Sequence, residues 1–284
     1  MKLVIISGRS GSGKSTALNV LEDLGFYCID NLPVMLLPTL MQQANQQGTG
    51  LVGMAVSIDA RNIRSELGNF ADIVSQLPND CILEIIYLDA HVDTLLTRFS
   101  ATRRKHPLTD ADVPLFEAIN KEVELLHHIA DMADLTIDTT HLSMHQLRTM
   151  IKNRVVDKDS NEMSILFESF GFKHGIPKDS DLVFDVRCLP NPYWDPQLRH
   201  FTGQDQAIID FLSDESSVNE MYSDIDDYLQ KWLPEFQNNN RTYMTISIGC
   251  TGGQHRSVYM TERLYQAYEK RYQNVQLRHR ELNP

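Results

Sequence analysis

The segment VIISGRSGSGKST, residues 4–16, runs from an apolar stretch into three closely spaced glycines, Lys14 and the hydroxyls of Ser15 and Thr16. Within it, Gly8-Arg9-Ser10-Gly11-Ser12-Gly13-Lys14-Ser15 satisfies the pattern G-x-x-x-x-G-K-[S/T]. Each residue type has a reason to be there. Glycines let the backbone curl so that successive N–H groups point inward at a di- or triphosphate. Lys14 supplies an exposed point charge for the β/γ oxygens, and the Ser15 hydroxyl is the candidate metal ligand, for Mg²⁺. The context agrees: Leu3–Ile6 reads as a buried strand, while Ala17, Leu18, Leu21 and Leu24 recur at helical spacing up to a terminating Gly25. Strand, loop and helix in that order aim a helix N-terminus at the phosphates.

The α/β alternation continues behind this unit. Leu51–Ile58, Ile82–Leu88 and Leu135–Ile137 read as buried strands with helical patterns between them, which predicts a parallel sheet covered on both faces. Asp59 closes MAVSI and Asp89 closes IIYL; either is placed to serve Mg²⁺, and the pattern does not choose between them. Arg98, Arg103, Arg104 and Lys105 in TRFSATRRKHP stand where small-molecule kinases carry a phosphate-clamping lid, and read equally well as a solvated helix end. Ile119, Val123, Leu126 and Ala130 mark an amphipathic helix flanked by His127 and His128, and Ser143 with Gln146 predicts a capping box. The polar run Asp157–Glu162 divides a first domain, 1–155, from a second, 162–284.

Composition narrows the function classes. A chain of 284 residues suffices for one large domain or two modest ones. Hydrophobic content of 42% and charged content of 23% are those of a soluble globular protein. With no bilayer-length apolar run and no leader pattern, the expectation is a cytoplasmic protein without a membrane partner. Cys28, Cys81, Cys188 and Cys250 form no CxxC pair and read as free thiols. A net charge of −12 excludes a surface that is basic all over, so a nucleic-acid contact requires a local patch.

The second half concentrates its chemistry in loops. FESFGFKHGIP (167–177) and DVRCLPNPYWDP (185–196) read as loops bringing Lys173, His174, Arg187 and Asn191 to a pocket. The acidic residues from Asp214 to Asp227, spaced by Val218, Met221, Ile225 and Leu229, read as a helix with one solvated face. In TISIGCTGGQHRSVYMTERL, a strand over Thr245–Ile248 and a helix from Ser257 bracket Gly249-Cys250-Thr251-Gly252-Gly253-Gln254-His255-Arg256, a second anion cradle. It has no lysine at the P-loop position, so it is not a second ATP site. Cys250 and Arg256, followed by Ser257, have the Cys-x₅-Arg spacing of thiolate phosphatases. Gly249 stands where those enzymes carry His, and Asp195 is a weak candidate acid, so phosphate binding is expected rather than covalent chemistry. The enzyme alternatives are a small-molecule kinase or a Cys250-dependent phosphatase. Finally, Arg263, Lys270, Arg271, Arg278 and Arg280, interleaved with Tyr265, Tyr268, Tyr272 and His279, form a basic patch on an acidic chain. It reads as an RNA contact with stacking tyrosines or as a terminal helix with a solvated basic face.

SGRSGSGKS, LEDLGFYCIDNLP, FESFGFKHGIP, DVRCLPNPYWDP, IGCTGGQHRSV and RHR, in this order, resemble the RapZ/YvcJ family of bacterial P-loop nucleotide-binding proteins over nearly the whole chain. The resemblance implies an α/β protein with an N-terminal P-loop kinase-like parallel-sheet domain and a C-terminal α/β domain related to phosphofructokinase. It implies ATP and Mg²⁺ at Gly8–Ser15 and GTP at Asp59-Ala60-Arg61-Asn62. Glucosamine-6-phosphate is the implied effector, at Arg187 and at Cys250, Thr251, Gly252, Gly253, His255, Arg256 and Ser257. Small regulatory RNA is implied at Lys270, Arg271, Arg278, His279 and Arg280, presented to ribonuclease E in the control of amino-sugar synthesis. A two-component sensor or regulator is a further implied partner, and the implied assembly is a homotetramer. Tyr193 departs from the His of a family member, and ELNP (281–284) replaces a more basic tail. No catalytic base or phosphoryl acceptor is marked, so at most weak ATP or GTP hydrolysis is expected.

Overall fold

Leu3, Val4, Ile5 and Ile6 have no exposed surface, the condition of a strand covered on both faces. The computed structural model describes residues 1–46, 52–62, 67–102, 104–110, 112–156, 163–239 and 241–282. The chain divides into two compact units, Met1–Asp157 and Lys158–Pro284. Leu51, Arg103 and the run 157–162 read as a linker lie outside the described residues.

In the first unit, β1 (Lys2–Gly8) is central. It pairs in parallel with β3 (Met54–Ile58) on one side and β4 (Ile82–Asp89) on the other. With β2 (Tyr27–Ile29) outside β3 and β5 (Leu135–Asp138) outside β4, the order is β2-β3-β1-β4-β5. The helices are α1 (Lys14–Asp23), α2 (Leu37–Gln46), α3 (Phe70–Val74), α4 (Val92–Thr102), α5 (Leu115–Asp131) and α6 (Met144–Ile151). Winding reverses at β1, so a crevice opens at the carboxyl ends of β1, β3 and β4. This is a P-loop kinase-like parallel sheet. One face of its core gathers Leu3, Ile5, Val56, Phe70 and Leu126. The capping box forms: Ser143 Oγ accepts the Gln146 N–H at 3.2 Å and Gln146 Oε1 accepts the Ser143 N–H at 2.7 Å. The α5 stripe differs from expectation. Ala118, Ile119, Glu122, Leu126 and Ile129 are buried and Val123 faces outward, because Glu122 finds buried donors that hold it at a core position.

The second unit is a four-stranded parallel sheet of β6 (Ser164–Gly171), β7 (Leu182–Asp185), β8 (Tyr243–Cys250) and β9 (Val275–His279) in the order β7-β8-β6-β9. The helices α7 (Gln206–Ser213), α8 (Ser216–Asn238) and α9 (Arg256–Tyr268) complete it. Two expectations change. Phe167–Gly171 is not loop but the end of β6, every residue of which is buried. The basic stretch from Arg263 to Arg280 is not one helix; it crosses the end of α9, a turn and the strand β9. In both places charged side chains obscure a strand that is made tolerable by partners on the neighbouring strand. The acidic helix is α8, which buries Val218, Ile225, Leu229 and Leu233 and turns Glu220, Asp224 and Asp227 outward, while Asp226 pairs with Arg271.

Candidate functional site

Gly8 ends β1 at φ 138°, where a Cβ would overlap the Leu88 carbonyl oxygen, so glycine alone lets the chain leave the sheet there. The carbonyls of the loop that follows are taken up from behind. Arg98 donates to Gly11 O at 3.0 Å and Thr139 Oγ1 to Ser12 O at 2.9 Å. Lys14 Nζ donates to Gly8 O at 2.7 Å and to Arg9 O at 3.2 Å. The N-cap of α1 is Gly13, which brings no side chain, so the first-turn N–H groups of that helix remain for a ligand. Lys14 is only 8% exposed, against the exposed position expected. Burial pushes its ammonium pKa down, while the carboxylates of Glu122 and Asp59 pull it up.

A cavity of about 950 Å³ opens on Ser10–Thr16 and is lined as well by Asp30, Asp59, Arg61, Arg104 and Lys105. The structure therefore separates the two strand-ending aspartates. Asp89 is engaged by the buried guanidinium of Arg9, which also donates to the Ala90 carbonyl; Asp59 faces the cavity. Burial pushes the Asp59 pKa up, but hydrogen bonds from Arg61 and the charge of Lys14 outweigh it and hold the carboxyl below the usual carboxylate value. Arg61 clasps Asp59 through Nε at 3.0 Å and Nη2 at 2.7 Å. Ala60 and Asn62 are buried: Asn62 Oδ1 accepts the Val34 N–H at 3.0 Å and fastens the segment behind β2. The turn assigned to GTP thus presents Asp59 and Arg61 to the same cavity that the P-loop lines. The exposed Ser15 hydroxyl and the Asp59 carboxylate are a donor set that fits Mg²⁺, which takes few protein oxygens beside water and phosphate. Arg104 and Lys105 are exposed and line the cavity, as a phosphate-clamping segment requires.

Glu122 has a place at this loop that the sequence reading missed. Its buried carboxylate accepts the Ser10 N–H and the Ser10 hydroxyl, each at 2.8 Å, and pairs with His106 Nε2 at 3.0 Å. The signal was present: Glu122 is three residues after Ile119 and four before Leu126, a charge on the core face of a helix.

In the second unit the loops at the carboxyl ends of the four strands form the other candidate site. Cys250 Sγ accepts the Gly253 N–H at 3.2 Å and lies 3.1 Å from Ser257 Oγ. Arg256 is buried and donates through Nη1 to Arg187 O at 2.7 Å and Leu189 O at 2.9 Å, so it positions one loop on another. Its remaining contact is from Nη2 to Thr251 Oγ1 at 3.4 Å. Arg187 is exposed, clasps Asp185 through Nη2 at 2.7 Å, and stacks 3.9 Å over the Phe172 ring. Thr251 is exposed, Gly252 is half-buried, and His255 is buried, which pushes its pKa down. A thiolate phosphatase needs sulfur and guanidinium turned to one phosphate. Arg256 is turned to carbonyls, and Asp195 accepts the Gln197 N–H in an exposed turn. The geometry favours binding over covalent chemistry.

The five residues to which the resemblance assigns RNA separate into two groups. Lys270 and Arg271 are exposed, with Arg271 3.2 Å from Asp226 and over the Tyr268 ring. Arg278 pairs with the buried Glu168 at 3.0 Å, and Arg280 lies 3.8 Å from Glu168 and 4.0 Å from Asp179. His279 joins Ser169 Oγ at 2.8 Å to Glu262 at 3.0 Å. That Ser–His–Glu row resembles a catalytic triad in its spacing alone, since Ser169 has no exposed surface. It fastens β9 to β6 and α9.

Both units are parallel α/β folds, and the first carries a P-loop at the end of its central strand. The chain belongs to the RapZ-like family: residues 1–159 match the RapZ-like N-terminal domain and residues 163–283 the RapZ C-terminal domain. It is 59% identical over 285 residues to a nucleotide-binding protein of Marinobacter nauticus, covering 99% of this chain and 97% of that one. To a nucleotide-binding protein of Hahella chejuensis it is 58% identical over 284 residues, covering 99% of each. Among solved structures it is similar to a shikimate kinase from Bacteroides thetaiotaomicron, at 12% identity and a TM-score of 0.35, over 53% of this chain and 94% of that one. No described helix is long and apolar enough to cross a membrane.

Proposed function

We propose that this chain is a nucleotide-regulated RNA adapter. It holds one ATP or GTP with Mg²⁺ in the first unit, takes the phosphate of glucosamine-6-phosphate at the strand-end loops of the second, and presents small regulatory RNA to ribonuclease E. The observation that carries the nucleotide reading is the cavity shared by the P-loop, Asp59, Arg61 and the cations Arg104 and Lys105. Relatives that cover the whole chain and bear the name nucleotide-binding protein support it. Because the P-loop and the Asp59–Asn62 turn face one cavity, ATP and GTP are alternative occupants rather than simultaneous ones. The RNA reading draws on the exposed Lys270 and Arg271; the stacking expected of Tyr268 fails, because its ring has no exposed surface and packs on Phe167.

Calorimetric titration of the full chain with Mg²⁺ tests this. The expected result is saturable binding of one nucleotide per chain, with GTP displaced by ATP. Independent binding of both at once, or of neither, overturns the reading. A second reading, phosphoryl transfer to a small acceptor, is favoured by Arg104 and Lys105 at the cavity, and predicts ADP release that rises on adding a hydroxylated acceptor.

A further inference from the structure

The end of the chain returns a carboxylate to the glycine loop of the second unit. Beyond β9, the Arg280 N–H donates to Ser169 O at 3.1 Å, which turns Glu281 over the carboxyl end of β6. A Cβ on Gly253 would overlap Glu281 Oε2, so the carboxylate rests on the bare Cα of a glycine held at φ 74°. The Gly171 N–H donates to this carboxylate, and Lys173, Arg278 and Arg280 surround it with positive charge. One of its oxygens, Oε2, is wholly buried. Backbone N–H and nearby cations around a buried oxyanion are the elements of a phosphate site.

We propose that Glu281 is an internal ligand: its carboxylate holds an oxyanion position of the Gly171–Gly253 cradle, and a phosphate monoester enters by displacing it. This rests on reading the strand-end loops as a phosphate site. The charge balance supports an exchange of anion for anion. Lys173, Arg278 and Arg280 stand against Glu168, Asp179 and Glu281, three cations against three carboxylates. Adding a phosphate without removing Glu281 leaves the cluster with excess negative charge. Burial pushes the Glu281 pKa up in spite of the cations and the Gly171 N–H, so the carboxylate is held at a cost that its release recovers. Ligand entry then frees residues 281 and 282 from the loop and couples the phosphate site to the segment that follows β9.

The test titrates inorganic phosphate into the full chain, Glu281→Gln and Glu281→Ala, with folding of each checked by thermal denaturation. Removing a like charge next to the site should tighten phosphate binding by about tenfold in both variants. Binding equal to or weaker than that of the unaltered chain makes Glu281 a structural strut and overturns the inference, leaving the phosphate reading intact. No phosphate binding by any of the three overturns both.

Discussion

Lys14 is a strut of its loop and, in the function proposed above, a phosphate contact as well. Its ammonium donates to the Gly8 and Arg9 carbonyls, so Lys14→Ala removes the proposed nucleotide partner and takes the lysine donor from both, Arg9 O keeping the Ser12 N–H. ATP binding should be lost, and urea denaturation should show a stability loss of roughly 1–3 kcal/mol. An unchanged calorimetric affinity for ATP contradicts the assignment. The motif made this residue legible but not its burial, since local sequence says nothing about which carbonyls an alkyl chain can reach. Asp59 adds a pH dependence. Its folded pKa is held below the unfolded value by Arg61 and Lys14 against the push of burial. Its stabilising contribution is therefore present above about pH 4 and lost as pH falls through the lower folded value. The gap in melting temperature between the unaltered chain and Asp59→Asn should be widest near neutrality and close in acid. A gap that is constant with pH refutes this.

At the scale of elements, α5 is tied to the P-loop by one carboxylate. His106 Nδ1 accepts the Leu108 N–H at 3.1 Å, which leaves the imidazole proton on Nε2 to be donated to Glu122. Glu122 thus joins the segment carrying Arg104 and Lys105 to Ser10 in the loop. Glu122→Ala leaves three buried donors without an acceptor and should cost roughly 3–5 kcal/mol in urea unfolding. A loss below about 1 kcal/mol shows that the loop and the basic segment are held independently. The same interaction explains an error of reading. The stripe Ile119, Val123, Leu126 follows hydrophobicity alone, whereas the core face admits Glu122 and turns Val123 out. β6 was obscured likewise: Glu168 and Ser169 interrupt its apolar run, and their partners Arg278 and His279 arrive on β9, more than a hundred residues on. By contrast β1, α1 and the P-loop carry their signal in adjacent residues, and motif and periodicity were enough to find them.

For the molecule as a whole, a net charge of −12 makes the proposed RNA binding depend on a few outward cations. Composition placed Lys270, Arg271, Arg278 and Arg280 in one patch, but the fold gives them different duties. Arg278 and Arg280 are paired with Glu168 and Asp179, while Lys270 and Arg271 stand at the surface. The Lys270→Ala, Arg271→Ala double variant should therefore stay folded and lose two phosphate contacts. Its slope of log affinity against log salt should fall by about 1.4 units, taking about 0.7 per contact on single strands. The Arg278→Ala, Arg280→Ala double variant should behave otherwise. It removes both guanidiniums that pair with Glu168, which has no exposed surface, so it should melt at lower temperature. Whatever RNA binding it loses should track the unfolded fraction, with an unchanged salt slope in the part that remains folded. Mobility shifts with a hairpin RNA at several salt concentrations, beside thermal melts, separate the two variants. If the first binds RNA with the slope of the unaltered chain, the basic patch makes no phosphate contact, and the adapter reading loses the surface on which it depends.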